Sequence, residues 1–75
     1  MAQQQHITFQ GYLIVSEHTH ESDIGKWSVQ CSITSPQGEV LGVRACPKPM
    51  YVASEEEAIR AGLALGQWLV KTGRP

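Results

Sequence analysis

The stretch SEEEAIRAGLALGQWLVK, residues 54–71, decides the fold, because it has the pattern of one amphipathic helix with both ends marked. Ser54 and Glu57 have the S-x-x-E spacing of a capping box, and three consecutive glutamates suit the positive end of the helix dipole. Lys71 and the glycine two residues later are typical of a helix terminus. The sequence therefore predicts a helix over about 54–72, with the glutamates as capping groups rather than an acid/base or metal site.

The predicted helix has one apolar face, along which small residues recur at every fourth position. Ala58, Gly62 and Gly66 lie in the middle of that face. A glycine inside a helix costs roughly 1 kcal/mol relative to alanine, so we expect these glycines to serve close packing of the helix on a sheet. A transmembrane G-x-x-x-G pair does not fit, because charged and amide side chains interrupt the apolar run.

Trp68 lies outside this face, beside Ala61 and Ala64, and the three residues form a second, smaller apolar strip. Two interpretations of Trp68 remain open from the sequence. It packs at the rim of the core, or it is exposed for a partner, since tryptophan is enriched at the centres of protein interfaces.

Length and charge limit the classes of function. A chain of 75 residues is predicted to form one domain, 1–75, and domains of this size gain stability from disulfides, metals or oligomerisation. The net charge of −1 gives no reason to expect nucleic acid or an anionic membrane as a partner. Residues 1–5 read as a frayed tail without the features of a signal peptide, so we expect a cytoplasmic location with reduced thiols.

Three stretches before the helix alternate between apolar and polar residues, as strands do: 7–16, 26–34 and 39–46. The predicted fold class is therefore α+β, with a three-stranded antiparallel meander and one C-terminal helix packed on one face, in the order β-β-β-α. The middle stretch is the clearest, and its inward residues are Trp27, Val29, Cys31 and Ile33.

The segment SPQG, residues 35–38, predicts a three-residue hairpin loop closed by a bulge. In that register Cys31 faces inward opposite Val43, whereas Cys46 lies on the other face of the sheet. No disulfide between Cys31 and Cys46 is expected from this arrangement. No basic residue or histidine is placed to activate Cys46, so a catalytic or redox role is not predicted.

One helix covers one face of a sheet, and the other face stays uncovered. A continuous first strand places Tyr12 and Ile14 on the uncovered face, with Gln30 and Arg44 from the next two strands. Together with Trp68, these residues are the candidate contacts to a partner, which is a second copy of the chain or another protein. The predicted function is thus a non-enzymatic interaction module, and the sequence contains no motif that assigns a catalytic residue.

Two alternative functions rest on other residue sets. The uncovered face could bind nucleic acid, with Tyr12 stacking on a base and Arg44 and Lys26 contacting phosphate, although the low basic content argues against it. His18 and His20 are two residues apart in a polar connection, so in an extended segment they point to the same side and could bind a metal. Two ligands are too few for a stable site, so a solvated loop and no cofactor are predicted.

Three segments carry a resemblance to known families: GKWSVQ from Gly25, SPQG from Ser35 and SEEEAI from Ser54. They resemble small uncharacterised bacterial proteins of β-β-β-α build, which have no assigned function. The layout of strands followed by an S-x-E-E-A helix is also similar to HicB-type antitoxin modules. The chain departs from that family, because its glycine-rich acidic second-strand region and its P-x-L-P-G-C-type segment are absent here. The resemblances imply a fold, and they carry over no functional residue.

Overall fold

The computed structural model describes residues 5–46 and 50–75. Within these ranges the chain forms seven strands in two antiparallel sheets, followed by one helix. The predicted α+β class and the C-terminal helix are confirmed, whereas the three-stranded meander is wrong. The elements are β1 (His6–Phe9), β2 (Tyr12–Ser16), β3 (Thr19–Glu21), β4 (Lys26–Ser28), β5 (Gln30–Thr34), β6 (Val40–Ala45), β7 (Tyr51–Val52) and α1 (Glu55–Lys71).

The first predicted strand is a hairpin of two strands, β1 and β2. Phe9 pairs with Tyr12, and the two residues between them form the turn. Gln10 and Gly11 both have positive φ, 52° and 85°. Positive φ at both central residues is the conformation of a type I′ turn, whose twist matches that of the flanking strands.

This two-residue turn changes which side of the second strand faces the core. Ile14 is fully buried, with 0% of its surface exposed, and Tyr12 packs against the core. The predicted placement of Tyr12 and Ile14 on the uncovered face is therefore wrong. Leu13 and Val15 take that side instead, since a shift of one residue exchanges the two faces of a strand.

The polar connection predicted for 16–25 also contains a strand. β3 pairs with β4, so that the hairpin of β2 and β5 continues as a second sheet with the order β3-β4-β7. Val29 separates β4 from β5, and its backbone N–H donates to the Met50 carbonyl at 3.2 Å. The two sheets meet at this position, and only the residues 22–25 form the turn at the end of the hairpin.

The register of β5 with β6 agrees with the predicted turn and then departs from it. Thr34 pairs with Val40 next to the turn, but Ile33 pairs with Gly42, so Leu41 is an extra residue in a bulge. Gly42 has φ 106°, a backbone conformation that side chains other than glycine rarely adopt.

Beyond this bulge, every residue of β6 faces the side opposite to the predicted one. Arg44 rather than Val43 lies opposite Cys31, so Arg44 is on the helix side of the sheet. Cys46 packs against the core, on the same side as Cys31. The predicted positions of Arg44 and Cys46 on the uncovered face are therefore wrong, whereas Val43 is exposed there.

Both ends of α1 follow the signals in the sequence. The Glu57 N–H donates to the Ser54 hydroxyl at 3.2 Å, which confirms the predicted cap. At the other end the Arg74 N–H donates to the Leu69 carbonyl at 2.7 Å, and Gly73 has φ 76°. This is a Schellman terminus, in which a left-handed glycine closes the last turn of the helix.

The helix packs closely on the inner side of the four-stranded sheet β1-β2-β5-β6. A Cβ atom on Gly62 would lie 2.7 Å from the Gln30 carbonyl oxygen, and one on Gly66 would overlap the Ile14 side chain. The expectation that these glycines serve close packing is confirmed. The buried hydrophobic residues between the layers are Ile14, Val29, Cys31, Ile33, Ala58, Ile59, Leu65 and Val70.

Candidate interaction surfaces

The side of the four-stranded sheet that faces away from α1 is not covered by any described element, and we call it the outer sheet face. Leu13 is 37% exposed, Val43 56% and Val40 72%. No residue of this face is Asp, Glu, Lys or Arg, and apart from one histidine its residues are aliphatic, hydroxyl or amide residues. The strand register places ten side chains on it: His6, Thr8, Leu13, Val15, Gln30, Ser32, Thr34, Val40, Val43 and Ala45.

The outer sheet face is suited to contact with another protein surface. The backbone groups of its inner strands are already paired in the sheet, so the side chains determine what binds. An antiparallel sheet face that meets only water usually carries polar residues in alternation. An exposed patch with aliphatic residues and no charge is instead typical of an interaction site, since charged residues are depleted at interface cores.

A second uncovered surface runs along α1, and we call Ala61, Ala64 and Trp68 the Trp68 strip. Trp68 is 50% exposed, so half of its surface is open to contact, and its role toward a partner stays a prediction. The strip lies beside an apolar groove of about 400 Å³, and a second concave region of about 320 Å³ adjoins it at Ala61 and Ala64. The groove is lined by Cys46, Met50, Ala61, Ala64, Leu65 and Trp68.

Charged side chains flank the Trp68 strip at its two ends. Glu57 lies toward the helix N-terminus and lines the second concave region, whereas Lys71 lies in the last turn. Arg60 also lines that region, but its guanidinium donates to the Glu56 carboxylate at 3.2 Å. The strip is therefore apolar in the middle, acidic at one end and basic at the other.

The two histidines of the metal hypothesis pack around one tryptophan. The ring centroids of His18 and His20 lie 5.6 Å and 5.0 Å from that of Trp27. His18 Nδ1 is 3.0 Å from the Ser16 hydroxyl, and its Nε2 is 3.5 Å from a Glu55 carboxylate oxygen. In the described part of the chain no group of three or more His, Cys, Asp or Glu residues could hold a metal ion. The pair thus joins the second sheet to the helix N-terminus.

The two cysteines are free and lie in different environments. Burial raises the pKa of Cys31 from 9.0 to about 11, against a smaller lowering effect of Arg44. The Cys31 thiol therefore stays protonated near neutral pH and is not a nucleophile. Cys46 lies at the rim of the apolar groove. Arg44 does not reach outward, and its guanidinium donates to the Val43 carbonyl at 3.3 Å.

A third concave region, of about 290 Å³, lies where the two sheets separate. Its lining is mixed, and Glu21 is the charged group among the described residues that form it. It continues the outer sheet face toward Tyr51, which is 45% exposed. The lining residues are Thr19, Glu21, Ser28, Val29, Gln30, Ala45, Cys46, Met50 and Tyr51.

Of the candidate contacts from the sequence, only Gln30 and Trp68 lie on the uncovered surfaces. Leu13, Val40 and Val43 of the outer sheet face were not among the candidates. The missed signal is the Gln-Gly pair at residues 10–11, which stands between two aromatic residues in a run that otherwise reads as one strand. Glycine after a polar residue, with strand residues on both sides, is the pattern of a two-residue hairpin.

No family model, no curated protein and no solved structure matches this chain. The resemblances to small bacterial β-β-β-α proteins and to HicB-type modules therefore stay predictions. In the described residues no helix is long and apolar enough to cross a membrane.

Proposed function

We propose that this chain is a small, non-enzymatic interaction module that pairs with a second copy of itself and leaves another surface for a further protein. The observation that carries the interaction role is the absence of Asp, Glu, Lys and Arg from ten neighbouring positions on the outer sheet face. The described residues in the rest of the structure include twelve Asp, Glu, Lys or Arg residues, so these charged residues are confined to the other surfaces. The exposed Trp68 strip is the second surface available for contact.

The size of the domain supports self-association. A chain of 75 residues buries only about 60% of the surface of its unfolded form, so small domains often gain stability by pairing. Two free cysteines without a disulfide fit a reducing compartment, and we place the module in the cytoplasm.

The structure gives no support to the nucleic-acid alternative. Tyr12, which would stack on a base, packs against the core, and Arg44 lies on the helix side of the sheet. Among its ten side chains the outer sheet face has no Phe, Tyr or Trp and no Lys or Arg, whereas single-strand binding sites combine aromatic stacking with basic residues.

Light scattering after size-exclusion chromatography tests the proposed self-association. We expect the measured mass to rise from that of one chain to twice that mass across the micromolar range. Asp23→Lys, in the turn at 22–25, is the control for a general change of charge and should dimerise like the wild type. A single-chain mass at every concentration would overturn the proposal of self-association.

A further inference from the structure

We infer that two copies pair through α1 in antiparallel orientation, with Trp68 of each copy seated in the apolar groove beside Ala61 and Ala64 of the other. This inference rests on the proposed function and names the surface through which the copies meet. The occupant of the groove is a second copy because the strip contains both halves of the contact. Trp68 is the protruding apolar group, and the two alanines leave the space that receives it.

The contact residues lie on one line along the helix. A spacing that alternates between four and three residues keeps side chains on the same face of a helix, as in coiled coils. Charged residues stand at the two ends of this line, and apolar residues stand between them. The line consists of Glu57, Ala61, Ala64, Trp68 and Lys71.

A single two-fold axis beside Ala64 relates all the contacts along this line of residues. Ala64 is midway along the sequence between Glu57 and Lys71, and within one position of midway between Ala61 and Trp68. Two helices that cross antiparallel at this point therefore place each Trp68 against the other Ala61. A two-fold interface is self-complementary in this way, because each contact occurs twice.

Charge sets the orientation of the pair. In the antiparallel arrangement Glu57 of one copy faces Lys71 of the other, at both ends of the contact. Both side chains are exposed in the single chain, and neither forms an ion pair with residues 5–46 or 50–75. The Glu57 carboxylate accepts from the Ser54 hydroxyl at 3.4 Å. A parallel arrangement would place Glu57 against Glu57, which costs free energy through like-charge repulsion. Antiparallel helix dipoles favour the same orientation.

The outer sheet face is less suited to this role and stays available. It contains no charged side chain that would select one orientation of two copies. It also lies on the side of the sheet opposite to α1, so pairing through the helix leaves both outer sheet faces open. The pair is thus bivalent, and bivalence increases the apparent affinity for a partner that has two linked sites.

The expected affinity is modest. A fully buried indole contributes about 150–250 Å². Trp68 is already half covered in the single chain, so two of them with a few small neighbours form an interface well below about 1,200 Å². Interfaces of that size are typical of weak complexes. We therefore expect a dissociation constant in the micromolar range.

Charge reversal tests the orientation. Lys71→Glu should raise the dissociation constant of the dimer about tenfold, because two attractive pairs become repulsive. Glu57→Lys should do the same, and the double variant should bind within about threefold of the wild type because the pairs are restored. High salt should weaken the wild-type dimer. Lys26→Glu makes the same charge change on β4 and should leave the dimer unchanged.

Sedimentation equilibrium on these variants tests whether the copies pair through α1 in antiparallel orientation. Recovery of the dimer in the double variant supports the inference, with circular dichroism to verify that Glu57→Lys still folds. A dimer that is insensitive to Lys71→Glu but lost in Val43→Glu overturns the inference and supports pairing through the outer sheet face. A wild-type chain that is monomeric throughout overturns the proposed self-association as well.

Discussion

The helix α1 carries two rows of small residues, and they have opposite surroundings. Gly62 and Gly66 face the sheet, where an added Cβ would meet the Gln30 carbonyl or the Ile14 side chain. Ala61 and Ala64 lie on another side of the same helix and line an open groove. The covered row is small because the sheet leaves no space. The open row is small and leaves space for something else.

This contrast shows that residue size alone does not identify a binding surface. The glycines have a complete structural explanation in the distance between helix and sheet. The alanines have no such explanation from within the chain, since neither is fully buried. What distinguishes the two rows is the neighbour: Ile14 fills the space at Gly66, whereas the exposed Trp68 stands beside the alanines.

Gly66→Ala should have the largest effect, because the new methyl group would overlap Ile14, a fully buried residue. Overpacking of a well-packed core costs about 1–3 kcal/mol, occasionally more, and the alanine returns about 1 kcal/mol through helix propensity. We expect a net loss of about 2 kcal/mol in the free energy of unfolding, which is the upper end of the overpacking cost less the gain in helix propensity, since the helix must move away from the sheet. Urea denaturation of the monomeric chain measures it.

The matched control adds a larger group to the open row. Ala64→Met adds three heavy atoms on the groove side of α1 and should change the free energy of unfolding of the monomer by less than about 0.5 kcal/mol. Equal losses for Gly66→Ala and Ala64→Met would show that the two rows are packed alike, and the contrast between them would fail.

Trp68→Ala should have the next largest effect, on association rather than on folding. The side chain is half exposed in the single chain, so its removal costs little core packing. Removal of a side chain that contributes to an interface costs more than about 1 kcal/mol. The two-fold dimer loses both indoles, so we expect about 2 kcal/mol in total, which corresponds to an increase of about thirtyfold in the dissociation constant. Light scattering across the micromolar range measures that increase. An unchanged dimer together with a large loss of stability would assign Trp68 to the core instead.

The smallest expected effect is a difference in the reaction rates of the two cysteines with a thiol reagent. This difference compares the covered side of the helix with its open side. Cys31 is buried with a pKa of about 11, so near neutral pH it should not react with a thiol reagent until the chain unfolds. Cys46 lines the groove and should react in the folded chain, more slowly at concentrations where the dimer forms. In the Lys71→Glu variant this slowing should begin only at about tenfold higher concentrations, because its dimer is weaker. Equal reaction rates of the two thiols in the folded chain would contradict the structure.

The features that follow from local patterns could be predicted from the sequence. The cap at Ser54, the bounds of the helix and the packing of Gly62 all depend on spacings within a few residues. The alternation of 26–34 was correct for Val29, Cys31 and Ile33, which are all buried. Trp27, the fourth predicted inward residue, is only partly buried and packs against the two histidines in the second sheet. A regular element needs only its own periodicity to be recognised.

The positions of the candidate contacts depended on two irregularities that alternation does not reveal. The Gln10-Gly11 turn moves Tyr12 and Ile14 to the core side, and the bulge beside Gly42 moves Arg44 to the helix side. Each irregularity shifts the alternation of the strand by one residue. A shift of one residue moves every side chain that follows to the other face of the sheet. The helix contains no irregularity of this kind, so the sequence alone could place Trp68 outside the main apolar face.

The bulge at Leu41–Gly42 also has a consequence for solubility. β6 is an edge strand of the four-stranded sheet, and it exposes Val40 and Val43 next to unpaired backbone groups. A straight apolar edge of this kind is a template on which further chains add as strands and form aggregates. The extra residue interrupts the hydrogen-bonding ladder near the start of β6, and such a bulge increases the local twist of the strand. The same irregularity that turns Arg44 toward the helix thus protects the edge of the sheet against uncontrolled strand addition.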